Sequence, residues 1–145
     1  RAGRLRLALS PLREKRALIH GHCHQKAFDA LAPAAEVLKL IPDLHVDVVD
    51  SSCCGMAGAF GYEASHYDIS MKMAELSLLP AVRAADADTL IVADGTSCRH
   101  QIADGTRDTG ARHAVHVVRV LARALVKEAG HPGAERRSAI GAAKT

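Results

Sequence analysis

The sequence predicts an α/β domain with a mostly parallel sheet and flanking helices. Three short apolar runs, Ala17–His20, Val46–Val49 and Thr89–Ala93, have the length of buried strands. Two longer stretches between them carry apolar residues every three or four positions, which is the spacing of amphipathic helices. Strands that alternate with helices form βαβ crossovers, and these crossovers join parallel strands.

The predicted helices cover Gln25 to Leu40 and Glu63 to Ala85. Their apolar stripes consist of Phe28, Leu31, Ala35 and Leu38 in the first stretch, which Pro33 interrupts, and Ile69, Met73, Leu76 and Pro80 in the second. A fourth unit is predicted from a short run at His113–Val117 that leads into a helix over Val118–Lys127. Leu121 and Leu125 would lie on one face of that helix.

Charge and composition divide the chain into three parts. Basic residues outnumber acidic residues at both ends, whereas residues 17–126 carry more acidic than basic side chains. We interpret residues 1–16 as a basic lead-in or linker, 17–127 as the folded domain and 128–145 as a disordered tail, because the tail lacks apolar periodicity. Since the chain begins with Arg1 and not Met, we expect it to be a segment of a longer polypeptide.

The composition argues against nucleic-acid binding and against a membrane span. The folded part is net negative, and the chain has no Trp and only two Phe and two Tyr to stack on bases. No apolar run reaches the roughly 18 residues that a transmembrane helix needs. Residues 1–16 contain no apolar segment long enough for a signal peptide. We therefore expect a cytoplasmic protein without a transmembrane segment.

Each predicted strand is followed by cysteine. Cys23 follows the first strand, Cys53 and Cys54 follow the second, and Cys98 follows the third. Because the carboxyl ends of parallel strands meet at one edge of a sheet, we expect the four thiols to form one site. Thiolates bind soft metals such as zinc, copper(I) and the iron of iron–sulfur clusters, and structural disulfides are rare inside cells.

Several kinds of thiol site remain open at this point. The cysteines can be small buried hydrophobic residues or a redox-active dithiol. Structural zinc sites usually contain Cys-x-x-Cys pairs, which this chain lacks, and the adjacent Cys53 and Cys54 are a poor chelate for one small ion. A cluster of several iron atoms accepts neighbouring thiolates more easily, so the pattern favours an iron–sulfur cluster, with zinc as a substitute.

Residues beside the cysteines are candidates for cofactor binding. Gly55 and Gly58 allow the backbone to approach a cluster closely, so that N–H groups can point at its sulfur atoms. His24, Arg99 and His100 adjoin the thiol segments and can donate hydrogen bonds to thiolates; a solvated loop surface is the competing interpretation. The glycine spacing does not match G-x-G-x-x-G, which argues against nucleotide binding.

The histidines suggest a different kind of site. His20, His22 and His24 alternate, so an extended backbone would direct all three to one face, with Asp94 nearby as a further ligand. This set resembles the ligands of a metal hydrolase. Glu63, by contrast, is interpreted mainly as the cap of the helix that follows it.

Four phrases of the sequence form a combination that is more specific than an isolated Cys-Cys-Gly. They are His22-Cys23-His24-Gln25-Lys26, Cys53-Cys54-Gly55-Met56-Ala57-Gly58, Phe60-Gly61-Tyr62-Glu63 and Ser97-Cys98-Arg99-His100-Gln101-Ile102. The combination resembles the CCG, or cysteine-rich, domain found in the B subunit of heterodisulfide reductase, in the iron–sulfur subunits of glycolate oxidase and in the C subunit of glycerol-3-phosphate dehydrogenase. It is most similar to the C-terminal iron–sulfur region of FAD-linked oxidases of the D-lactate dehydrogenase type.

This resemblance covers roughly residues 17–126 and implies a function. It implies an iron–sulfur domain that relays electrons from a flavin in another domain, through further clusters, to a quinone or another acceptor. The substrate would be a 2-hydroxy acid such as D-lactate or glycolate, and partners would bring the chain to the inner membrane. The family pattern often ends in Cys-x-x-Cys, whereas Cys98 begins Cys-Arg-His-Gln here, so a fifth thiolate is missing and a five-cysteine noncubane cluster is not supported. The four cysteines match the ligand count of a [4Fe–4S] cluster. A zinc-binding or metal-free docking module is the alternative.

Overall fold

The structure, a computed structural model, describes residues 8–126. Three strands, β1 (Arg16–His20), β2 (His45–Val48) and β3 (Leu90–Ala93), form an all-parallel sheet in the order β2-β1-β3. All three agree closely with the predicted runs. The predicted α/β class, with a parallel sheet, flanking helices and cysteines near the strand ends, is confirmed.

Helices connect the strands and follow the last of them. They are α1 (Cys23–Ala27), α2 (Leu31–Leu38), α3 (Tyr67–Glu75), α4 (Leu78–Ala84), α5 (Thr96–Gly105) and α6 (Val117–Ala124), with short 3-10 helices at Phe60–Tyr62, Ala64–His66 and Arg107–Thr109. Within residues 8–126, no helix is long and apolar enough to cross a membrane.

The sheet lies between two apolar layers because successive side chains of a strand point to opposite faces. On β3, Leu90 and Val92 face a core that contains residues of α2 and α6. Ile91 and Ala93 face a second core, which contains residues of α4 and α5. Burial on both faces explains why β3 reads as a continuous apolar run with no alternation of polar residues.

The first predicted helix is two helices, which corrects the prediction of one element over Gln25–Leu40. The chain turns at Asp29, whose φ of 52° is incompatible with a continuous α-helix. Pro33 does not interrupt a helix: it lies in the first turn of α2, where a missing N–H is tolerated. Phe28 lies on the surface and not in an apolar stripe.

The second predicted helix is also broken, and its apolar face was wrongly assigned. The stretch from Glu63 to Ala85 contains a 3-10 turn, α3 and α4. Ile69 and Leu76 are exposed, whereas Ser70, Ala74 and Leu78 are buried. The buried face of α3 is therefore rotated by about one residue from the prediction, so that small side chains lie against the neighbouring loop.

The fourth unit is only partly as predicted. Residues 113–117 do not form a regular strand; Val115 makes an isolated parallel bridge to Val92. Helix α6 ends at Ala124, earlier than expected, and it buries Val117, Val120 and Ala124. Leu125 is exposed and pairs with Leu9 in an isolated antiparallel bridge.

The described part of the N-terminal segment contacts the domain. Leu9 and Leu12 pack against the core that contains α2 and α6, and the Ser10 amide donates to the Ala124 carbonyl at 2.8 Å. The boundary at residue 17 remains a prediction. The predicted disordered tail, 128–145, lies outside the described residues.

The connections from β1 and β3 run in opposite directions across the sheet. The chain leaves β1 toward β2 on one side, whereas it leaves β3 toward Val115 on the other side. Neighbouring strands whose connections diverge in this way form a topological switch point, where ligands of open α/β sheets bind beyond the carboxyl ends. The segments that carry the cysteines begin at this edge.

Candidate metal centre

Two of the predicted ligands, Cys54 and Cys98, form a buried pair. Their exposed fractions are 3% and 0%, and the Cys98 thiol donates to Cys54 Sγ at 3.3 Å. The strand-to-helix turn after β3 places Cys98 in the first turn of α5, and an irregular loop after β2 carries Cys54. Two segments that are 44 residues apart in sequence thus bring their sulfur atoms into contact.

The pair is electrostatically asymmetric. The hydrogen bond from Cys98, with help from the nearby His20 ring and the Met56 backbone, lowers the pKa of Cys54 to about 4 although burial acts in the opposite direction. The same hydrogen bond, together with burial and charge on the other three cysteines, raises the pKa of Cys98. The contact between the two sulfur atoms therefore favours ionisation of one thiol of the pair, and thiolates are the form that binds metal.

His20 is the third member of this buried group. It ends β1, its exposed fraction is 1%, and its Nδ1 lies 2.9 Å from Ser51 Oγ. A ring nitrogen and the two sulfur atoms all lie within 4.8 Å of one another. Within the described residues, this is the one group of three His, Cys, Asp or Glu side chains that is compact enough to hold a metal ion.

Cys23 and Cys53 form the outer part of the site. Cys23 begins α1 and is exposed, and Cys53 is half-buried. Partial shielding from water, the hydrogen bond with Cys53 and charge on Cys53 and Cys54 raise the pKa of Cys23. All four thiols therefore influence one another, although Cys23 and Cys53 lie outside the compact group.

The glycine after the vicinal pair contacts the site through its backbone. The Gly55 N–H donates to Cys53 Sγ at 3.3 Å, whereas a contact of Gly55 or Gly58 with a cluster remains a prediction. Gly55 has a φ of +90°, and its α-carbon packs so closely against Ser70 that a Cβ would lie 2.1 Å from the Ser70 carbonyl oxygen. Gly58 also has a positive φ of +71° but makes no close approach.

Side chains that the sequence analysis did not single out hold these loops. Lys26 donates to the carbonyl of Ser51 and, at 3.2 Å, to that of Ser52, so α1 is tied to the loop that carries the vicinal cysteines. Buried Gln101 donates to the Ser70 carbonyl and hydroxyl at 3.0 Å each, which joins α5 to α3 beneath Gly55. Both Lys26 and Gln101 belong to the four sequence phrases, but only the tertiary contacts reveal their role.

The other predicted cofactor-binding residues have structural partners. Arg99 donates to the carbonyls of Ala93 and Asp94 at 3.1 and 2.6 Å, which satisfies acceptors at the end of β3. His100 Nδ1 lies 2.7 Å from the Tyr62 hydroxyl on the surface. His24 is exposed, and its ring lies 4.7 Å from that of Phe28. A role of these three residues in cofactor binding remains a prediction.

Within residues 8–126, the alternating histidines and Asp94 do not form a group compact enough to hold a metal ion. His22 caps α1, its Nδ1 accepting from the His24 amide at 3.2 Å. Asp94 accepts from Gln25 Nε2 at 2.7 Å and from the Val117 amide at 2.9 Å, so it anchors the start of α6. The geometry therefore gives no support to a hydrolase site built on these residues.

The donor set fits a soft metal. Four thiols and one imidazole lie at the switch point, the inner thiols are shielded from water, and His20 Nε2 is buried without a hydrogen-bond partner. Thiolate sulfur and imidazole nitrogen suit zinc, copper(I) and iron–sulfur clusters better than magnesium or calcium. The residues present are therefore compatible with an iron–sulfur cluster.

The chain is similar to bacterial dehydrogenase sequences. The C subunit of anaerobic glycerol-3-phosphate dehydrogenase from Escherichia coli strain K12 is 33% identical over 119 residues, which are 82% of this chain and 28% of the relative. D-2-hydroxyglutarate dehydrogenase of the same strain is 37% identical over 100 residues, which are 68% of this chain and 10% of the relative. The chain thus spans less than a third of either relative.

These similarities confirm the predicted resemblance to the C subunit of glycerol-3-phosphate dehydrogenase. No protein-family model and no solved structure matches the chain. Membership of the CCG family and the ligand set of the site therefore remain predictions. The chain is therefore related to segments of dehydrogenases, and within residues 8–126 its cysteine–histidine group could hold a metal ion.

Proposed function

We propose that this chain is an iron–sulfur electron-transfer domain of a larger FAD-linked oxidoreductase that acts on a 2-hydroxy acid such as D-lactate or glycolate. The observation that carries the proposal is the gathering of Cys54 and Cys98, with Cys23 and Cys53 beside them, at the switch point of the sheet. The relative named D-2-hydroxyglutarate dehydrogenase supports the substrate class, since 2-hydroxyglutarate is a 2-hydroxy acid.

In this proposal the four cysteines would hold a [4Fe–4S] cluster, which would supply one-electron transfer. Burial of the inner thiols and the Gly55 N–H beside Cys53 Sγ would tune the reduction potential of a bound cluster, because amide hydrogen bonds and exclusion of water shift the potentials of such centres. The sheet fixes the position of the centre relative to the next cofactor. No side chain of the site needs to act as a general acid or base.

The remaining parts of the reaction belong to partners. A flavin domain would oxidise the substrate, a further iron–sulfur domain of the same or an associated chain would continue the relay, and a quinone or another carrier would accept the electrons. The proposal places the chain in the cytoplasm, at the inner membrane through these partners. Its short span relative to the similar dehydrogenases accords with a role as one segment of a larger assembly.

A zinc-filled docking module is the second candidate. The observation that favours it is the 3.3 Å contact between Cys54 and Cys98, which is close enough for both sulfur atoms to bind a single ion. In that case the metal would stabilise the domain without transferring electrons, since zinc has no redox chemistry under these conditions.

Metal analysis separates the two candidates. We would purify the 145-residue chain without oxygen and measure iron, acid-labile sulfide and zinc per protomer. The electron-transfer proposal expects about four iron and four sulfide, a visible absorbance that bleaches on reduction, and loss of both in a Cys53→Ser variant. Ser52→Ala is the matched control, because Ser52 is the exposed neighbour in the same loop.

The metal analysis can refute either the electron-transfer proposal or the assignment of the cysteines as ligands. Stoichiometric zinc without sulfide, even after anaerobic reconstitution with iron and sulfide, would replace the relay by the docking module. A cluster that survives in Cys53→Ser, Cys54→Ser and Cys98→Ser variants alike would show that these thiols are not its ligands. If Ser52→Ala loses iron and sulfide to the same extent as Cys53→Ser, the loss results from disturbance of the loop and not from removal of the thiol.

A further inference from the structure

The His20 ring has a nitrogen that the folded chain leaves without a hydrogen bond. His20 is one of the most deeply buried side chains of the domain, and its Nε2 has no partner among the described residues. A buried polar nitrogen without a partner costs free energy, so such an atom calls for a ligand or another explanation. A nitrogen of this ring lies within 4.8 Å of the sulfur atoms of both Cys54 and Cys98.

The other ring nitrogen is already fixed. Nδ1 lies 2.9 Å from Ser51 Oγ, and Lys26 Nζ lies 3.4 Å from the same oxygen. When Nδ1 carries the proton and donates to Ser51, Nε2 presents its lone pair. Histidines that bind metal typically have this arrangement, with one nitrogen on the metal and the other donating to an oxygen that orients the ring.

We propose that His20 binds the metal of this site through Nε2, together with Cys54 and Cys98. The inference rests on the proposed function in one respect, namely that the site holds a metal. It assigns the buried end of the centre a mixed nitrogen and sulfur ligand set in place of thiolates alone. If the His20 imidazole takes the place of one of the four thiolates of the proposed cluster, the negative charge around that centre falls and its reduction potential rises.

A hydrogen bond from Nε2–H to the Cys54 thiolate is the competing explanation. It would need the opposite tautomer of His20, with Ser51 Oγ donating to Nδ1. The two arrangements differ in whether Nε2 carries a proton or a metal, and this difference can be observed directly at the nitrogen. It does not depend on enzymatic activity.

The first test uses the unmodified chain and zinc as the probe. We would label the histidine rings with ¹⁵N, reduce the metal-free chain and add one equivalent of Zn²⁺ while recording the ring nitrogen resonances. The inference expects the Nε2 resonance of His20 to move to a metal-bound position while the exposed His45 ring is unchanged. Zinc binding that leaves the His20 nitrogens unchanged, or no zinc binding, would overturn it.

Variants then separate a ligand from a positioning residue, with Co²⁺ as a spectroscopic probe. His20→Gln should weaken Co²⁺ binding by about 100-fold or more. Ser51→Ala, which removes the partner of Nδ1 and a 3.4 Å contact with Lys26 Nζ, should weaken it by about 10-fold with an unchanged spectrum. His20→Cys should retain the metal and gain intensity in the thiolate-to-cobalt charge-transfer band. His45→Gln is the control. A His20→Cys spectrum identical to that of the unmodified chain would contradict ligation.

Iron and sulfide analysis of the same variants distinguishes failure of this inference from failure of the proposed function. A chain that binds zinc through His20 but never holds iron and sulfide keeps the inference and overturns the electron-transfer proposal. A chain that assembles the full cluster equally well as His20→Gln, with an unchanged reduction potential, keeps the electron-transfer proposal and overturns the inference.

Discussion

Replacing Gly55 by alanine tests whether the loop that carries the vicinal cysteines is held as described. Gly55 has a φ of +90°, outside the regions that residues with a Cβ adopt readily. The added Cβ would also lie 2.1 Å from the carbonyl oxygen and 2.9 Å from the carbonyl carbon of Ser70. Since both contacts are with backbone, neither can be relieved by rotation of a side chain, and α3 or the loop must move.

Two contributions determine how much Gly55→Ala lowers the free energy of unfolding, namely the positive φ and the steric contact with Ser70. A positive φ costs a residue with a Cβ about 1–2 kcal/mol. Overpacking in a dense region adds about 1–3 kcal/mol. We therefore expect Gly55→Ala to lower the free energy of unfolding by about 2–5 kcal/mol. Gly58→Ala is the matched control, because Gly58 has a φ of +71° but no heavy atom within 4 Å of the added Cβ. Gly58→Ala should therefore show only the cost of the positive φ.

Urea unfolding of the metal-free chain, followed by circular dichroism, measures both variants. The larger loss in Gly55→Ala should accompany faster reaction of Cys54 with a thiol reagent, because displacement of the loop exposes a thiol that is now 3% exposed. Equal losses in the two variants would refute the argument from close approach. A stable Gly55→Ala variant with a protected Cys54 would refute the described packing of the loop on α3.

Three further predictions concern hydrogen bonds and an ion pair that stabilise the fold. Gln101→Leu removes both hydrogen bonds to Ser70 and should lower the free energy of unfolding by about 1–3 kcal/mol in urea titrations; an unchanged midpoint would exclude this link as a support. Asp94→Asn removes the negative charge at the start of α6 and should cost about 0.3–1 kcal/mol, measured the same way, whereas a gain would show that the carboxylate is strained. The Arg83 guanidinium lowers the pKa of Glu75, so this pair should stabilise the fold above pH 4.5 and lose its effect as the pH falls through the lowered pKa. Because the pair is partly exposed, the effect should be at most about 1 kcal/mol, and Glu75→Gln should abolish it; the same pH dependence in the variant would assign it to another group.

The strands and the meeting of the inner cysteines could be predicted from the sequence because they depend on local signals. A short apolar run bounded by polar residues and glycine identifies a strand, and parallel pairing then brings the segments after Ile19 and Ala93 to the same edge. The orientation of α3 depended on a tertiary contact. Ser70 and not Ile69 is buried because the backbone of Gly55 approaches there, and helical periodicity contains no information on that approach.

The position of His20 relative to the cysteines was likewise inaccessible to sequence reasoning. Alternation of His20, His22 and His24 predicts a shared face only if the strand continues, but β1 ends at His20 and α1 begins three residues later. That turn directs the three histidines to different surroundings: His20 to the buried thiols, His22 to the cap of α1, and His24 to the surface. Spacing within a segment indicates a common site only while the backbone conformation stays constant.

The cysteines are buried on one side of the site and exposed on the other. Cys98 is fully enclosed, whereas Cys23, at the start of α1, is open to solvent. Electron tunnelling weakens steeply with distance through protein, so a centre held by these thiols would exchange electrons rapidly only through its open side. Under the proposed function, a redox partner would therefore dock over α1, where Cys23 is accessible, and not over the enclosed Cys98.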